Sequence, residues 1–308
     1  MLPRGFIVLR SFFVVALATC SSTFAMQVNI SASGTSYVQG EPIYVWVDYY
    51  NDSADEIGIA DRYVFATNVV TIRDHKDQAL KCAFESVPQR FVGGNQVQRI
   101  PAKGHLVMLT NLLDSFNIRE PESYSVQIST ANYKPERDLD KEHPVLSPAK
   151  MFQGRIESNR WGFTITPGSG KAFELAAMDK RWGLYGLQHY AEQIAAEYPD
   201  SPYAPYARIS QVEQLLNSDG SGPKPLIERL DAAQRLFAQF RKDYSGSPLF
   251  EIASIRYADR LAAIGQNAAA SAVLRELQET RLKEPAKQYV DQQLSRLARN
   301  PSLKDVGR

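Results

Sequence analysis

AEQIAAEYPDSPYAPYARIS, residues 191–210, decides how the chain is read, because its pattern is written a second time. Ser201-Pro202 recurs 46 residues further on as Ser247-Pro248, and the same offset carries Tyr198 onto Tyr244, Ile194 onto Phe240, Ala207 onto Ala253 and Leu215 onto Leu261. A stripe at helical spacing precedes each Ser-Pro: Leu187, Tyr190, Ala191, Ile194 and Tyr198 before the first, Leu230, Ala233, Phe237, Phe240 and Tyr244 before the second. Each serine is expected to accept a backbone hydrogen bond as N-cap, and each proline to occupy the first helical position, where a missing N–H costs nothing. The helices so opened are predicted over 203–216 and 249–263, with Gly265 closing the second. Two more follow over 268–280 and 286–298, so 179–298 reads as an antiparallel array of helical hairpins.

Glu197-Tyr198-Pro199-Asp200-Ser201-Pro202-Tyr203-Ala204 is similar to the linking segment of tetratricopeptide-like repeats in bacterial envelope proteins, including outer-membrane assembly and cell-division accessory factors. Gly265-Gln266-Asn267-Ala268-Ala269 likewise resembles a repeat's closing turn and next helix. The standard repeat spans about 34 residues, and the Ser/Asp/Gly/Pro-rich stretch 217–225 accounts for the longer period. This resemblance implies an interaction module whose exposed inner face forms a peptide groove. Tyr203, Tyr206, Arg208 and Tyr257 are the partner-binding candidates, since Tyr and Arg are enriched at interface hot spots. Tyr206 and Tyr257 also stand on apolar stripes, where packing between helices competes for them.

Residues 27–167 follow a different period. Ile43, Val45, Val47 and Tyr49 alternate with Tyr44, Trp46, Asp48 and Tyr50, as in a strand. Further runs at 69–73, 80–84, 97–100, 105–110, 124–130 and 163–166 are separated by turn signals such as Gly40-Glu41-Pro42, Asn51-Asp52-Ser53, 74–77 and Pro101 to Gly104. Many short punctuated strands predict a β-sandwich. Gln39-Gly40-Glu41-Pro42, then Pro121-Glu122-Ser123-Tyr124-Ser125-Val126, then Phe152-Gln153-Gly154-Arg155-Ile156-Glu157-Ser158-Asn159 resemble the opening, corner and closing segments of immunoglobulin-like domains in secreted bacterial proteins. Tyr124 stands where a tyrosine corner would be. Residues 131–150, rich in charge and proline, are expected to form a long excursion between the last strands. Pro167-Gly168-Ser169-Gly170 marks the change of period, with a linker over 168–178 and a flexible tail over 299–308.

The first residues carry an address. Arg4 and Arg10 flank an apolar stretch, Phe12 to Ala18 is uninterrupted apolar, and small residues follow, the layout of a secretory signal peptide over 1–25. Cleavage after Ala25 gives a periplasmic or secreted protein. Leu17-Ala18-Thr19-Cys20 also resembles a bacterial lipoprotein signal, which would lipidate Cys20 and anchor the chain in the envelope. Either route leaves at most Cys82 as an ordinary cysteine, so a disulfide framework is excluded. With 35 basic and 34 acidic residues the basic stripe of a nucleic-acid binder is absent in bulk.

No pattern with a catalytic mechanism emerges. Pro167-Gly168-Ser169-Gly170-Lys171-Ala172 departs from a phosphate loop at Ile165 and Ala172. His75, His105, His143 and His189 lie far apart with no H-E-x-x-H pair, so the zinc site of the secreted metallopeptidases that carry similar first domains is missing. Asp74-His75-Lys76-Asp77 reads as a hairpin turn. The sequence therefore offers no catalytic, cofactor or metal site. The sequence predicts a two-domain protein, all-β then all-α, acting as a non-enzymatic exported adaptor that binds a protein or peptide, with membrane contact only through Cys20. Two rivals stand beside it. One is an envelope glycan or peptidoglycan hydrolase using loop carboxylates such as Asp52 with Asp55, or Asp138 with Asp140. The other is a structural lipoprotein anchored at Cys20.

Overall fold

The structure, a computed structural model, describes residues 26–61, 68–81, 96–130, 152, 154–178, 184–217 and 225–299. The expected signal peptide with Cys20, the 131–150 excursion with Asp138, Asp140 and His143, Cys82, and residues 300–308 of the tail lie outside the described residues. Strands occupy the first half and helices the second. In order they are β1 (Met26–Ala32), β2 (Ser36–Val38), β3 (Tyr44–Asn51), β4 (Ile57–Asp61), β5 (Asn68–Arg73), β6 (Gln96–Ile100), β7 (His105–Asn111), β8 (Ser123–Thr130), β9 (Ile156–Glu157) and β10 (Trp161–Thr166). They are followed by α1 (Gly170–Ala177), α2 (Leu184–Glu197), α3 (Ala204–Leu215), α4 (Leu226–Tyr244), α5 (Leu249–Ala263), α6 (Asn267–Gln278) and α7 (Ala286–Arg299).

One sheet has the order β1-β3-β7 and the other β2-β10-β8-β5, with β9 on β8 and β4-β6 forming a separate ribbon. All pairings are antiparallel except β10 with β2. The sheets face each other across one core, in which Ile43 just before β3 and Val45, Val47 and Tyr49 of β3 meet Val126 and Ile128 of β8 and Phe163 and Ile165 of β10. This is the inward face that the alternation of β3 predicts. Fully buried Asn51 and Asn111 bracket that strand. Asn51 Nδ2 donates to the carbonyls of Asp55, Ile100 and Pro101, while Asn111 Oδ1 accepts from the Ile43 N–H at 3.0 Å. Tyr124 closes its corner by donating from its hydroxyl to the Glu120 carbonyl at 2.9 Å. The 74–77 turn is held by Asp74, whose Oδ1 accepts from the N–H groups of Lys76 and Gln78.

The outer face of β3 departs from expectation. Tyr44 and Trp46 are as buried as the inward residues, at 3% and 4% exposure. A half-solvated sheet would leave that face to water. Here the helices cover it: Tyr44 shares a core with Tyr206, Ala207, Leu249 and Ile252, and Trp46 and Val107 share another with Tyr257, Leu261, Tyr289 and Val290. The protein is three layers deep, sheet on sheet on helices, with β3 in the middle layer.

The two ends of α5 follow local chemistry, and the start of α3 does not. Gly265 adopts φ +78° after α5, and Gln266 N–H donates to the Leu261 carbonyl at 2.8 Å, the wide bond of a Schellman closure. Ser247 Oγ accepts from the Leu249 N–H at 3.2 Å as the repeat pattern predicts. Ser201 does not cap. Helix α3 begins at Ala204 with Tyr203 at the N-cap position, and Ser201 Oγ is buried with no hydrogen-bond partner among the described residues. The Tyr203 hydroxyl donates to the Gln39 carbonyl at 2.7 Å, and that anchor fixes where the chain turns into the helix. The 168–178 stretch, read as a linker, contains α1, which buries Ala172, Leu175 and Ala176 against the array.

Candidate functional site

Of the four residues proposed for a partner groove, the three tyrosines are buried and Arg208 is partly exposed. Tyr203 is 1% exposed, and its ring stacks near Phe173, centroids 6.4 Å apart. Tyr206 is buried, with its ring 6.5 Å from that of Tyr44 and its hydroxyl donating to Glu41 Oε1 at 2.6 Å. Tyr257 is buried and stacks on Phe237, centroids 4.2 Å apart. Arg208, partly exposed, reaches Asp243 at 3.9 Å and so links α3 to α4. None of the three tyrosines lies on an exposed helix face; Tyr206 instead lines a cleft described below. Burial of their rings is the physical reason, and for Tyr203 and Tyr206 the covering surface is the chain's own first half.

What these residues build is a seam. At one end Tyr203 and Tyr206 of α3 bind the Gln39 to Glu41 turn. In the middle Arg256 of α5 lies over the Tyr44 ring, 5.2 Å from its centroid, and holds Glu213 of α3 through two bonds of 2.5 and 2.8 Å. Glu213 is 1% exposed, so this ion pair is deep. At the far end Trp46 packs on Tyr289 at 5.5 Å, the Tyr289 hydroxyl donates to Asp259 Oδ2 at 2.7 Å, and Gln292 Oε1 accepts from the Val107 N–H at 3.1 Å. That last bond satisfies an amide on the edge of β7 which would otherwise be buried unpaired. Burial pushes Asp259 up to about 6, against the opposing pull of the Tyr289 hydroxyl and of Arg256, Arg296 and Arg260.

A cleft of about 200 Å³ opens in the seam. Tyr37, Tyr44 and Tyr206 form aromatic walls, Leu249 and Ile252 an apolar one, and Glu41 brings a carboxylate. Glu41 Oε2 accepts from the Val38 N–H at 2.8 Å while Oε1 takes the Tyr206 hydroxyl. Burial raises its pKa and these two bonds lower it. The Tyr44 hydroxyl, buried with its ring, has no hydrogen-bond partner among the described residues. Sequence reasoning missed Glu41 and Tyr44 as site residues. The available signal was a strand that puts Tyr and Trp on the face where water was expected. Among the described residues no group of three or more His, Cys, Asp or Glu side chains could hold a metal ion.

No protein-family model matches the chain, and no curated protein matches it. Among solved structures it is similar to BslA, a bacterial hydrophobin, at 10% identity and a TM-score of 0.19, over 47% of this chain and 96% of that one. A likeness that slight carries no argument about fold or function.

Proposed function

We propose that this protein is a non-enzymatic adaptor exported to the bacterial envelope, periplasmic or secreted, or lipid-anchored if Cys20 is modified. In this reading an immunoglobulin-like sandwich and a tetratricopeptide-like array form one rigid unit that binds a protein or peptide. The observation that carries it is the cleft between the two halves, walled by tyrosines and floored by a carboxylate. Concave sites that set polar groups among aromatic and aliphatic side chains are where ligands are preferentially held. The Tyr124 corner bond to Glu120 and the Schellman closure at Gly265 support the two architectural resemblances.

The recognition face moves accordingly. With Tyr203 sealed inside, the partner is expected at the rim of the cleft, where Ser36 is exposed. A photo-crosslinking residue placed at Ser36 in living cells, followed by mass identification of adducts, tests the reading. One recurrent envelope protein supports it; glycan adducts would move the assignment to an envelope hydrolase, and absence of any adduct would overturn the adaptor.

A further inference from the structure

Glu41 is a partly buried carboxylate that meets no cation among the described residues. Among the described residues no ammonium or guanidinium pairs with it; its two partners are the neutral Tyr206 hydroxyl and the Val38 N–H. Arg256, which sits on the Tyr44 ring of the same cleft, is already bound to Glu213 through two bonds. A sequestered carboxylate normally finds an opposite charge, because neutral hydrogen bonds do not replace the lost hydration of a full charge. The amino end of α5 also lines the cleft, yet its first free N–H group is taken by Ser247 Oγ.

The surroundings specify the missing group. Tyrosine rings attract organic cations through their quadrupole, and three line this cleft: Tyr37, Tyr206 and Tyr44, whose ring already carries Arg256. Leu249 and Ile252, which also line the cleft, suit an aliphatic stem, as in a side chain that buries its methylenes and carries charge at its tip. An anion would meet Glu41 and is disfavoured. We infer that the seam cleft is a binding site for an alkylammonium group, with Glu41 as its counter-ion and the Tyr37, Tyr44 and Tyr206 rings around it. A lysine side chain of a partner protein and a free small amine both present this chemistry. The lysine alternative rests on the adaptor reading, and the free amine does not.

Calorimetric titration of the full chain distinguishes these outcomes. The probes are a capped Gly-Gly-Lys-Gly-Gly peptide, its norleucine counterpart and n-butylammonium. Saturable binding of the lysine peptide and of butylammonium is expected, none of the norleucine peptide, and a loss of at least about tenfold in Glu41→Gln, where the charge goes and the shape stays. Ser36→Lys, at the exposed rim, is expected to compete from within the chain and abolish binding without altering the buried network. Butylammonium binding without peptide binding keeps the cation site and assigns it to free amines. Equal affinity for lysine and norleucine peptides, indifference to Glu41→Gln, or no saturable binding by either cation overturns the inference. A partner captured at Ser36 whose binding is unchanged in Glu41→Gln would keep the adaptor and overturn the cation site.

Discussion

The hydroxyl of Tyr206, on the third helix, donates to the carboxylate of Glu41, on the turn before the third strand, across 2.6 Å of space and 165 residues of sequence. A hydrogen bond to a group of that charge is worth more than a neutral one, about 1.5–3 kcal/mol. Tyr206→Phe keeps the ring beside Tyr44 and deletes only the donor. Denaturant unfolding of that variant is expected to show a loss of this order. A change under about 0.5 kcal/mol, the range of ordinary surface substitutions, would mean that the bond contributes nothing to holding the halves together.

Arg256 and Glu213 test the seam in a different way. Arg256→Met leaves Glu213 charged and buried, a type of change that costs about 3–5 kcal/mol. Replacing both, Arg256→Met with Glu213→Leu, is expected to recover most of that loss, because the buried charge goes with its partner. The double-mutant cycle in chemical denaturation measures the coupling directly.

Trp46 lies against Tyr289 and is almost wholly buried. Trp46→Ala is expected to cost about 3–5 kcal/mol, the usual range for a large buried aromatic. Because the residue belongs to the first half and its contacts to the second, helix content and tryptophan fluorescence, to which Trp46 and Trp161 of the strands contribute, should melt together in the unaltered protein. Separate midpoints for the two probes in the unaltered chain would show that the halves fold independently.

The pH dependence follows from Asp259. Its folded pKa, pushed up to about 6 by burial, lies above the ordinary aspartate value of about 3.9. The folded protein therefore holds a proton that the unfolded chain releases first, and stability falls as pH rises through that window. Below about pH 4 the group is protonated in both states and makes no difference. Asp259→Asn keeps an acceptor for the Tyr289 hydroxyl and removes the titration. Stability measured from pH 4 to 7 should lose this component of its slope in the variant; an unchanged slope would assign it to other groups, with Glu41, raised in the same direction, the first to examine.

Gly265 carries φ +78° with open space around the position where a Cβ would sit. Steric contact is therefore not the issue, and backbone handedness is. Gly265→Ala is expected to cost about 1–2 kcal/mol in thermal unfolding, and Gly265→Asn less, since asparagine tolerates that region.

Much of this architecture was legible in local patterns. Helix α5 runs over Leu249–Ala263 as the Ser247-Pro248 signal and Gly265 imply, and Ile43 just before β3 and Val45, Val47 and Tyr49 of β3 enter one core as the alternation implies. Local signals failed where tertiary contacts decided. Ser201-Pro202 has the same chemistry as Ser247-Pro248, yet its helix starts later because Tyr203 is tied to Gln39, a residue far away in sequence. The stripes carrying Tyr206 and Tyr257 correctly marked helix faces but could not say what lay against them. Tyr44 and Trp46 held that information, since large aromatics on the second face of a strand need a cover. No period in the sequence pairs them with particular helices, so Glu41 and the cleft stayed out of sight.

The doubly covered strand has a consequence for how the molecule is made. A ribosome delivers β3 and β7 well before any helix, so the newborn first half presents Tyr44, Trp46, Val107 and Leu109 as a bare apolar strip until α3, α5 and α7 arrive. A fragment ending after β10 would keep that strip permanently uncovered and is expected to self-associate. The order of synthesis thus creates an interval of vulnerability, and the helices end it by acting toward their own chain as a chaperone acts toward a client.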